Sequence, residues 1–334
     1  MWRKGLGIVL FLSIAAYGQS GRRVDFEAAG EEDTTVVKVK TSEVLLGVTV
    51  KNQYGRPATG LSQQDFIVIE DGQRQQITSF NVREVPINVV LLLDASSSMF
   101  GKMRQVRMAA IKFIEQMRAQ DKVAIVQFAE KVELIQDWTS NRADLRHAVN
   151  WRYRPGETTN LWDALYLASE ELLSNVEGRK AIVVLTDCLD TTSKVTQQQA
   201  YWAAIRAGAS IYVISEASAL ASDVRRNYGG TAGTLAGTRM SAEAIAAQLL
   251  AAERSLEEMA NRTGGGLFAP VDPTQLEQAY LQIAEELKTQ YLITYIPSSD
   301  RIDGKFRTIK VLLTRPGLTA IHKEGYFAVG RGSG

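Results

Sequence analysis

Ile87-Asn88-Val89-Val90-Leu91-Leu92-Leu93-Asp94-Ala95-Ser96-Ser97-Ser98-Met99 is the stretch on which the fold turns. Its first half is apolar almost without a break, the pattern of a strand covered on both faces. It ends on a carboxylate, and a serine-rich loop follows. Beyond the loop, Met103, Val106, Ala110, Phe113, Ile114 and Met117 recur at three- and four-residue steps, which predicts a helix. The alternation then repeats. Lys122 to Phe128 is a second buried strand and Val132 to Ile135 a short one. Leu161, Leu165, Ala168 and Leu172 mark a helix. Ala181 to Thr186 is again a fully buried strand, Gln198 to Ala207 a helix, and Ile211 to Ser215 a strand. Strands alternating with helices predict an α/β fold: a doubly wound, mainly parallel sheet with helices on both faces.

This domain is expected over residues 84–288. Within it, 217–245 is rich in Ala, Gly and Ser and reads as a mobile insertion, partly helical. A helix over Ala251 to Asn261 stops at Gly264-Gly265-Gly266, and Leu267 to Ala269 is a last short strand. Asp272, Pro273 and Gln275 form an N-cap signal for a helix whose apolar face is Leu276, Tyr280, Ile283 and Leu287. The triple glycine lacks the Lys-Ser/Thr of a phosphate loop.

Both flanks read as β. On the N-terminal side, 42–83 holds Val44 to Val50, Asp65 to Glu70 and Ile77 to Asn81, with a hairpin signal at Asp71-Gly72. On the C-terminal side, 289–329 holds Tyr291 to Ile296, Arg307 to Leu313, Leu318 to Ile321 and Tyr326 to Val329, the last two able to pair. Neither flank is large enough to be stable alone, so they are expected to pack together as one small β-sandwich with the α/β domain inserted between them. Residues 330–334 read as a loose tail.

The N-terminus has a separate character. Arg3 and Lys4 precede an apolar run from Leu6 to Ala16, and small or polar residues follow. That is the layout of a secretory signal peptide over 1–18, its core well short of the ~20 residues that span a bilayer. An uncleaved anchor is the alternative. Residues 19–41 are polar and acidic and read as a flexible leader. The expected location is secreted, periplasmic or in the cell envelope, with no membrane span after cleavage.

Composition excludes several functions. The net charge is +1 and no basic run appears, so no nucleic-acid partner is expected. The single cysteine, Cys188, rules out an intrachain disulfide, and the two histidines, His147 and His322, have no metal-ligand spacing. Cys188 reads as a small filler rather than a redox switch, and His147 as structural or exposed.

The chemistry gathers at strand ends. In an open parallel sheet, ligands collect at the carboxyl ends of the strands. Asp94, Ser96 and Ser98 lie there, as do Thr159, in Gly156-Glu157-Thr158-Thr159-Asn160, and Asp187, after the strand ending at Thr186. Carboxylates and hydroxyls without His or Cys suit a hard ion, Mg²⁺ or Mn²⁺. Two carboxylates only balance a dication, which leaves it electrophilic toward an incoming carboxylate. Taken alone, Asp94 to Ser98 also reads as a helix N-cap loop; Thr159 and Asp187 favour the metal. Thr158 competes with Thr159 for its role, and Glu157, Asp163 and Asp190 read as solvated surface.

Asp94-Ala95-Ser96-Ser97-Ser98-Met99 resembles the DxSxS metal-ion-dependent adhesion site of von Willebrand factor type A, or integrin I-like, domains. Thr159 to Leu165 is similar to the family's separate threonine stretch, and Val183 to Asp187 to its later aspartate. The likeness covers about Ile87 to Leu287. Gly60 to Phe66, Glu70-Asp71-Gly72, Gln290-Tyr291 and Gly325-Tyr326-Phe327 resemble the flanks of a secreted bacterial group first noted in Acidobacteria. The resemblance implies that Asp94, Ser96 and Ser98 are ligands, that Thr159 is a conformation-dependent ligand, and that Asp187 often acts through water. One departure is Cys188, where many members have glycine. Asn261-Arg262-Thr263 fits a glycosylation acceptor, but the bacterial likeness implies no glycan.

The expected function is non-enzymatic: metal-dependent adhesion to a protein or surface ligand that offers a carboxylate. A structural envelope subunit with a vestigial site is the alternative. A metal-assisted hydrolase is less favoured, because no GxSxG elbow, histidine base or HExxH is present.

Overall fold

The computed structural model of the protein describes residues 43–81, 85–228, 232–235, 238–299 and 302–329. The segments read from sequence as a signal peptide, a leader and a tail lie outside the described residues.

The chain opens with strands β1 (Val44–Asn52), β2 (Phe66–Glu70), β3 (Gln73–Gln75) and β4 (Ile77–Asn81). The α/β portion runs β5 (Ile87–Asp94), α1 (Met103–Gln116), β6 (Lys122–Phe128), β7 (Val132–Thr139), α2 (Arg142–His147), α3 (Leu161–Leu167), β8 (Arg179–Thr186), α4 (Gln197–Ala207) and β9 (Ser210–Ser215). It continues with α5 (Ala217–Tyr228), β10 (Ala232–Leu235), β11 (Thr238–Ser241), α6 (Ala242–Arg262), β12 (Gly266–Phe268) and α7 (Pro273–Thr289). Strands β13 (Tyr291–Tyr295), β14 (Phe306–Leu313), β15 (Leu318–Ile321) and β16 (Gly325–Phe327) close the chain.

The central sheet has the order β12-β9-β8-β5-β6-β7 and is parallel except for β7, which pairs antiparallel with β6. This is the α/β sheet expected from the strand–helix alternation. Strand β5 shows why its sequence does not alternate. Val89, Leu91 and Leu93 pack into one core with α1 and α7, while Val90 and Leu92 pack into the other with α3, α4 and α6. Each face removes apolar surface from water, and truncating one such fully buried leucine costs about 2–5 kcal/mol.

Two antiparallel sheets accompany the central one, with orders β15-β1-β13-β4 and β16-β14-β2-β3. Each takes strands from both ends of the chain: β13 lies between β1 and β4, and β14 pairs with β2. They share a core of Val44, Leu46, Val48, Phe66, Val68, Tyr291, Ile293, Ile309 and Val311. Tyr295 also crosses between the sheets to donate to Glu70 Oε2 at 2.7 Å. Asp71 and Gly72 both take positive φ, +46° and +81°, the backbone of a tight hairpin turn matching the twist of β2 and β3.

Several expectations are corrected. Leu318–Ile321 and Gly325–Phe327 do not pair with each other; β15 pairs with β1 and β16 with β14, because each completes a different sheet. The 217–245 segment carries α5, the helical part expected of it, together with the β10–β11 ribbon, and Ala217, Ala221 and Ile245 lie in the core. Its small residues allow close helix packing as readily as they allow a loop. Strand β7 extends to Thr139, past the expected end at Ile135. The helix from Leu161 changes to π-type winding over Ala168–Leu173. At α7, Asp272 accepts the Gln275 N–H at 2.8 Å, but Gln275 reaches back to the Val271 N–H, one residue before the cap.

The α/β portion and the sandwich join through polar groups. Arg179 donates to Gln290 Oε1 at 2.9 Å and to the Val85 carbonyl at 3.1 Å, and Gln290 donates to Thr49 Oγ1 at 3.3 Å. Lys51 pairs with buried Glu286 at 2.7 Å. Arg262 holds Glu324 through two contacts at 2.8 Å. Burial draws the Arg179 pKa down to about 10, so it stays cationic at neutral pH.

Truncation after Thr289 tests the sheet arrangement. It removes the strand between β1 and β4 and the partner of β2. Amide protection over residues 43–81, read by hydrogen exchange, is expected to collapse; retained protection would mean that the N-terminal strands fold without the C-terminal ones.

Candidate metal centre

The central sheet has a switch point at β5. The chain leaves β5 for β6 on one side and later returns to β8 on the other. A crevice is expected at the carboxyl ends of β5 and β8. Asp94 ends β5 and Asp187 follows β8, so the fold places one carboxylate on each side of it.

Both are buried, Asp94 at 0% and Asp187 at 3% exposure. Asp94 Oδ1 accepts the Ser96 N–H at 2.9 Å, and Oδ2 accepts the Thr186 hydroxyl at 2.7 Å. Tyr153 donates its hydroxyl to the Asp94 carbonyl. Ser96 Oγ lies 3.1 Å from Ser98 Oγ, and Ser98 is on the exposed side of the loop. Asp187 Oδ1 accepts the Leu189 N–H at 3.0 Å. The Thr186 hydroxyl thus bridges the ends of the two strands.

Thr159 arrives on a third loop. The Gly156 N–H donates to the Ala95 carbonyl at 2.7 Å, tying this loop to the one after β5. The Thr159 carbonyl accepts the N–H groups of Thr191 at 2.9 Å and Thr192 at 3.2 Å, tying it to the loop after β8. Thr159 is buried at 4% exposure, whereas the hydroxyl of the more exposed Thr158 accepts from Thr192 at 3.2 Å. Thr159 joins the site's hydrogen bonding through its backbone. Asp190 and Asp163, read from sequence as surface, have local duties. Asp190 accepts the first N–H groups of α3, and Asp163 those of Lys194 and Val195. Glu157 is exposed.

Sequence reasoning placed Thr186 on this rim beside Asp187 but missed Tyr153, Lys102 and Glu216. Thr186 and Tyr153 both grip Asp94, and the Lys102–Glu216 pair at 2.6 Å stands on the same rim. Glu216 directly follows β9, so the strand-end rule applied to that strand would have found it.

Electrostatics show what the rim lacks. Burial pushes the Asp94 carboxyl up to about 7, and the nearby Asp187 charge adds to the shift. Burial also raises Asp187, while Ser98, the Leu189 N–H and Lys102 oppose it. Two buried carboxylates within reach of each other are held by neutral donors. That is a donor set short of positive charge. Among the described residues no group of three His, Cys, Asp or Glu side chains gathers as a metal site. The set is instead two carboxylates with serine and threonine hydroxyls, all hard oxygens, and it fits Mg²⁺ or Mn²⁺ better than a softer ion.

Cys188 takes φ +70°, a left-handed conformation that costs a side-chain-bearing residue about 1–2 kcal/mol and glycine little. Its thiol is buried, which pushes its pKa up and removes it from thiolate chemistry. His147 is exposed at the end of α2.

Residues 88–234 match the family model of the von Willebrand factor type A domain. The chain carries a von Willebrand factor type A domain. Solved structures of similar shape include von Willebrand factor type A from Catenulispora acidiphila, at 13% identity over 85% of this chain and 73% of that one, TM-score 0.44. Another is proximal thread matrix protein 1 from the mussel byssus, at 15% identity over 66% and 51%, TM-score 0.47. A third is the PilB minor pilin from Streptococcus sanguinis, at 15% identity over 62% of each chain, TM-score 0.43. The chain thus covers less than two thirds of the pilin and about half of the thread protein. No curated protein matches it.

The raised Asp94 pKa sets a pH dependence for the A domain. An acid whose folded pKa lies above its ordinary 3.8 binds its proton more tightly folded than unfolded, so stability contributed by the neutral form is lost as pH rises from about 4 to about 7. A dication held by Asp94 would compete with that proton. Thermal midpoints at pH 5 and pH 7.5 are expected to show the larger Mn²⁺ stabilisation at pH 7.5. Asp94→Asn should remove the Mn²⁺ response and stabilise the metal-free protein at pH 7.5.

Proposed function

We propose that this chain is an exported, non-enzymatic binding protein whose A domain uses Mg²⁺ or Mn²⁺, held by Asp94, Ser96, Ser98, Thr159 and Asp187, to grip a carboxylate on a protein or surface partner. The observation that carries the reading is the pair of buried carboxylates, Asp94 and Asp187, at the carboxyl ends of adjacent strands, with only neutral donors on their oxygens and Lys102 committed to Glu216. A bound hard dication supplies an electrophilic point for an anionic oxygen. Asp94 and Asp187 bring the charge that holds it. Ser96 and Ser98 bring neutral oxygens, so the site's charge is not saturated from within. Exposed Ser98 marks the side from which a partner approaches.

Export rests on the sequence of Met1 to Gly18. No helix of the described residues is long and apolar enough to cross a membrane. Intact-mass analysis of secreted protein is expected to place the mature N-terminus near Gln19; mature protein that keeps Met1 would exclude cleavage.

Calorimetric titration with Mn²⁺, followed by binding to an acidic-peptide array with and without chelator, tests the mechanism. Asp94→Ala is expected to abolish both signals. Ser96→Ala and Ser98→Ala should weaken both, since water replaces a neutral oxygen in part. Thr159→Ala should weaken peptide binding more than Mn²⁺ binding if Thr159 joins the metal mainly in the partner-bound state. Unchanged Mn²⁺ affinity in Asp94→Ala would sink the metal assignment.

A further inference from the structure

Behind the rim, a line of largely buried hydrogen bonds leaves Asp94. Thr186 Oγ1 donates to Asp94 Oδ2 at 2.7 Å and accepts the Cys188 N–H at 3.1 Å. Cys188 Sγ donates to Ser215 Oγ at 3.1 Å. Ser215 Oγ donates to Glu253 Oε1 at 2.5 Å while accepting the Ala217 N–H at 3.1 Å. Ser218 Oγ donates to Glu253 Oε2 at 2.5 Å. Cys188, Ser215 and Glu253 are all buried, at 1%, 0% and 8% exposure. The line joins β8 to the consecutive β9 and α5 and to α6 beyond them.

The order of donation is fixed by its far end. Glu253 accepts from both serines, so the single proton of Ser215 is committed to it. The oxygen of Ser215 is then free to accept from Cys188 and Ala217. The thiol is thereby anchored at a residue whose left-handed backbone, φ +70°, strains any side chain. The same turn presents Thr186 to Asp94 and the Leu189 N–H to Asp187. Among the described residues no cation pairs with Glu253. A buried carboxylate held only by serines is an expensive way to fill space, since an apolar side chain of similar volume would pack there without desolvation.

We propose that Glu253 is a positioning residue for the Asp94–Asp187 site: through Ser215 it pins Cys188, and so holds the turn that aims Thr186 and Asp187 at the crevice. This rests on the metal reading above, and it assigns the α5–α6 segment a part in that site.

The test uses the full chain and two readouts. The first is the labelling rate of Cys188, the sole cysteine, by a maleimide in metal-free protein. The second is Mn²⁺ affinity by calorimetry. Glu253→Gln keeps the shape but cannot accept from both serines. Labelling is expected to quicken roughly tenfold, the factor for one lost buried hydrogen bond. Mn²⁺ affinity should fall about tenfold, as when a group that orients a metal ligand is removed. Glu257→Gln, on the exposed face of α6, should leave both unchanged. In a Cys188→Gly background, Glu253→Gln should cost no further Mn²⁺ affinity, because the side chain it acts through is gone. Wild-type labelling in Glu253→Gln, or an undiminished affinity loss in the Cys188→Gly background, would overturn the proposal. If Glu253→Gln does not fold, Ser218→Ala, which removes one donor to the carboxylate, is read by the same criteria. If the wild-type protein takes up no Mn²⁺, the metal reading fails by itself, and the labelling rates alone decide whether Glu253 holds the turn.

Discussion

Asp94 sits at 0% exposure with a second buried carboxylate, Asp187, close enough to raise its affinity for a proton. Two buried like charges repel, and among the described residues neither has an ion-pair partner of its own. The surroundings supply dipoles instead: the Ser96 and Leu189 N–H groups and the Thr186 hydroxyl. Dipoles reduce the desolvation cost of a carboxylate but do not cancel its charge. The loops around the pair accordingly hold two buried carboxyl groups close together, and the result is a raised affinity for protons at both.

That arrangement depends on the sheet beneath it. Strand β5 is flanked by β6 and β8 and covered on both faces, so its carboxyl end cannot shift without disturbing two cores. The three rim loops are then stitched to one another by backbone hydrogen bonds, Gly156 to Ala95 and Thr191 and Thr192 to Thr159. Below the sheet, α7 ends at Thr289 and β13 begins at Tyr291, with Arg179, Gln290 and Thr49 joined at the passage. The sandwich and the A domain therefore share a buried polar layer as well as a continuous chain.

Much of this was legible locally. The unbroken apolar runs at Ile87, Lys122 and Ala181 declared strands covered on both faces, because only such strands have no polar side. Asp71-Gly72 declared a hairpin, because it can take positive φ at both positions. Less legible were the elements whose local signal is ambiguous. Small residues in 217–245 suit a loop and a tightly packed helix equally, and only the partner, α6, selects the helix. Leu318–Ile321 and Gly325–Phe327 look like a hairpin because they are near in sequence, but their hydrogen-bonding partners are β1 and β14.

By itself the sequence determined the strand–helix alternation, the oxygen-only chemistry at Asp94, Ser96, Ser98, Thr159 and Asp187, and the absence of any intrachain disulfide. Each of these depends on residue type and short-range order. The tertiary structure decided the burial of Asp94 and Asp187, the coupling between them, the shared sheets of the two flanks and the line from Thr186 to Glu253. Charge, burial and hydrogen-bond direction at those places are set by groups from β5, β8, β9 and α6. Those elements meet only when the sheet closes, and no local pattern in the chain records that Ser215 will find Glu253.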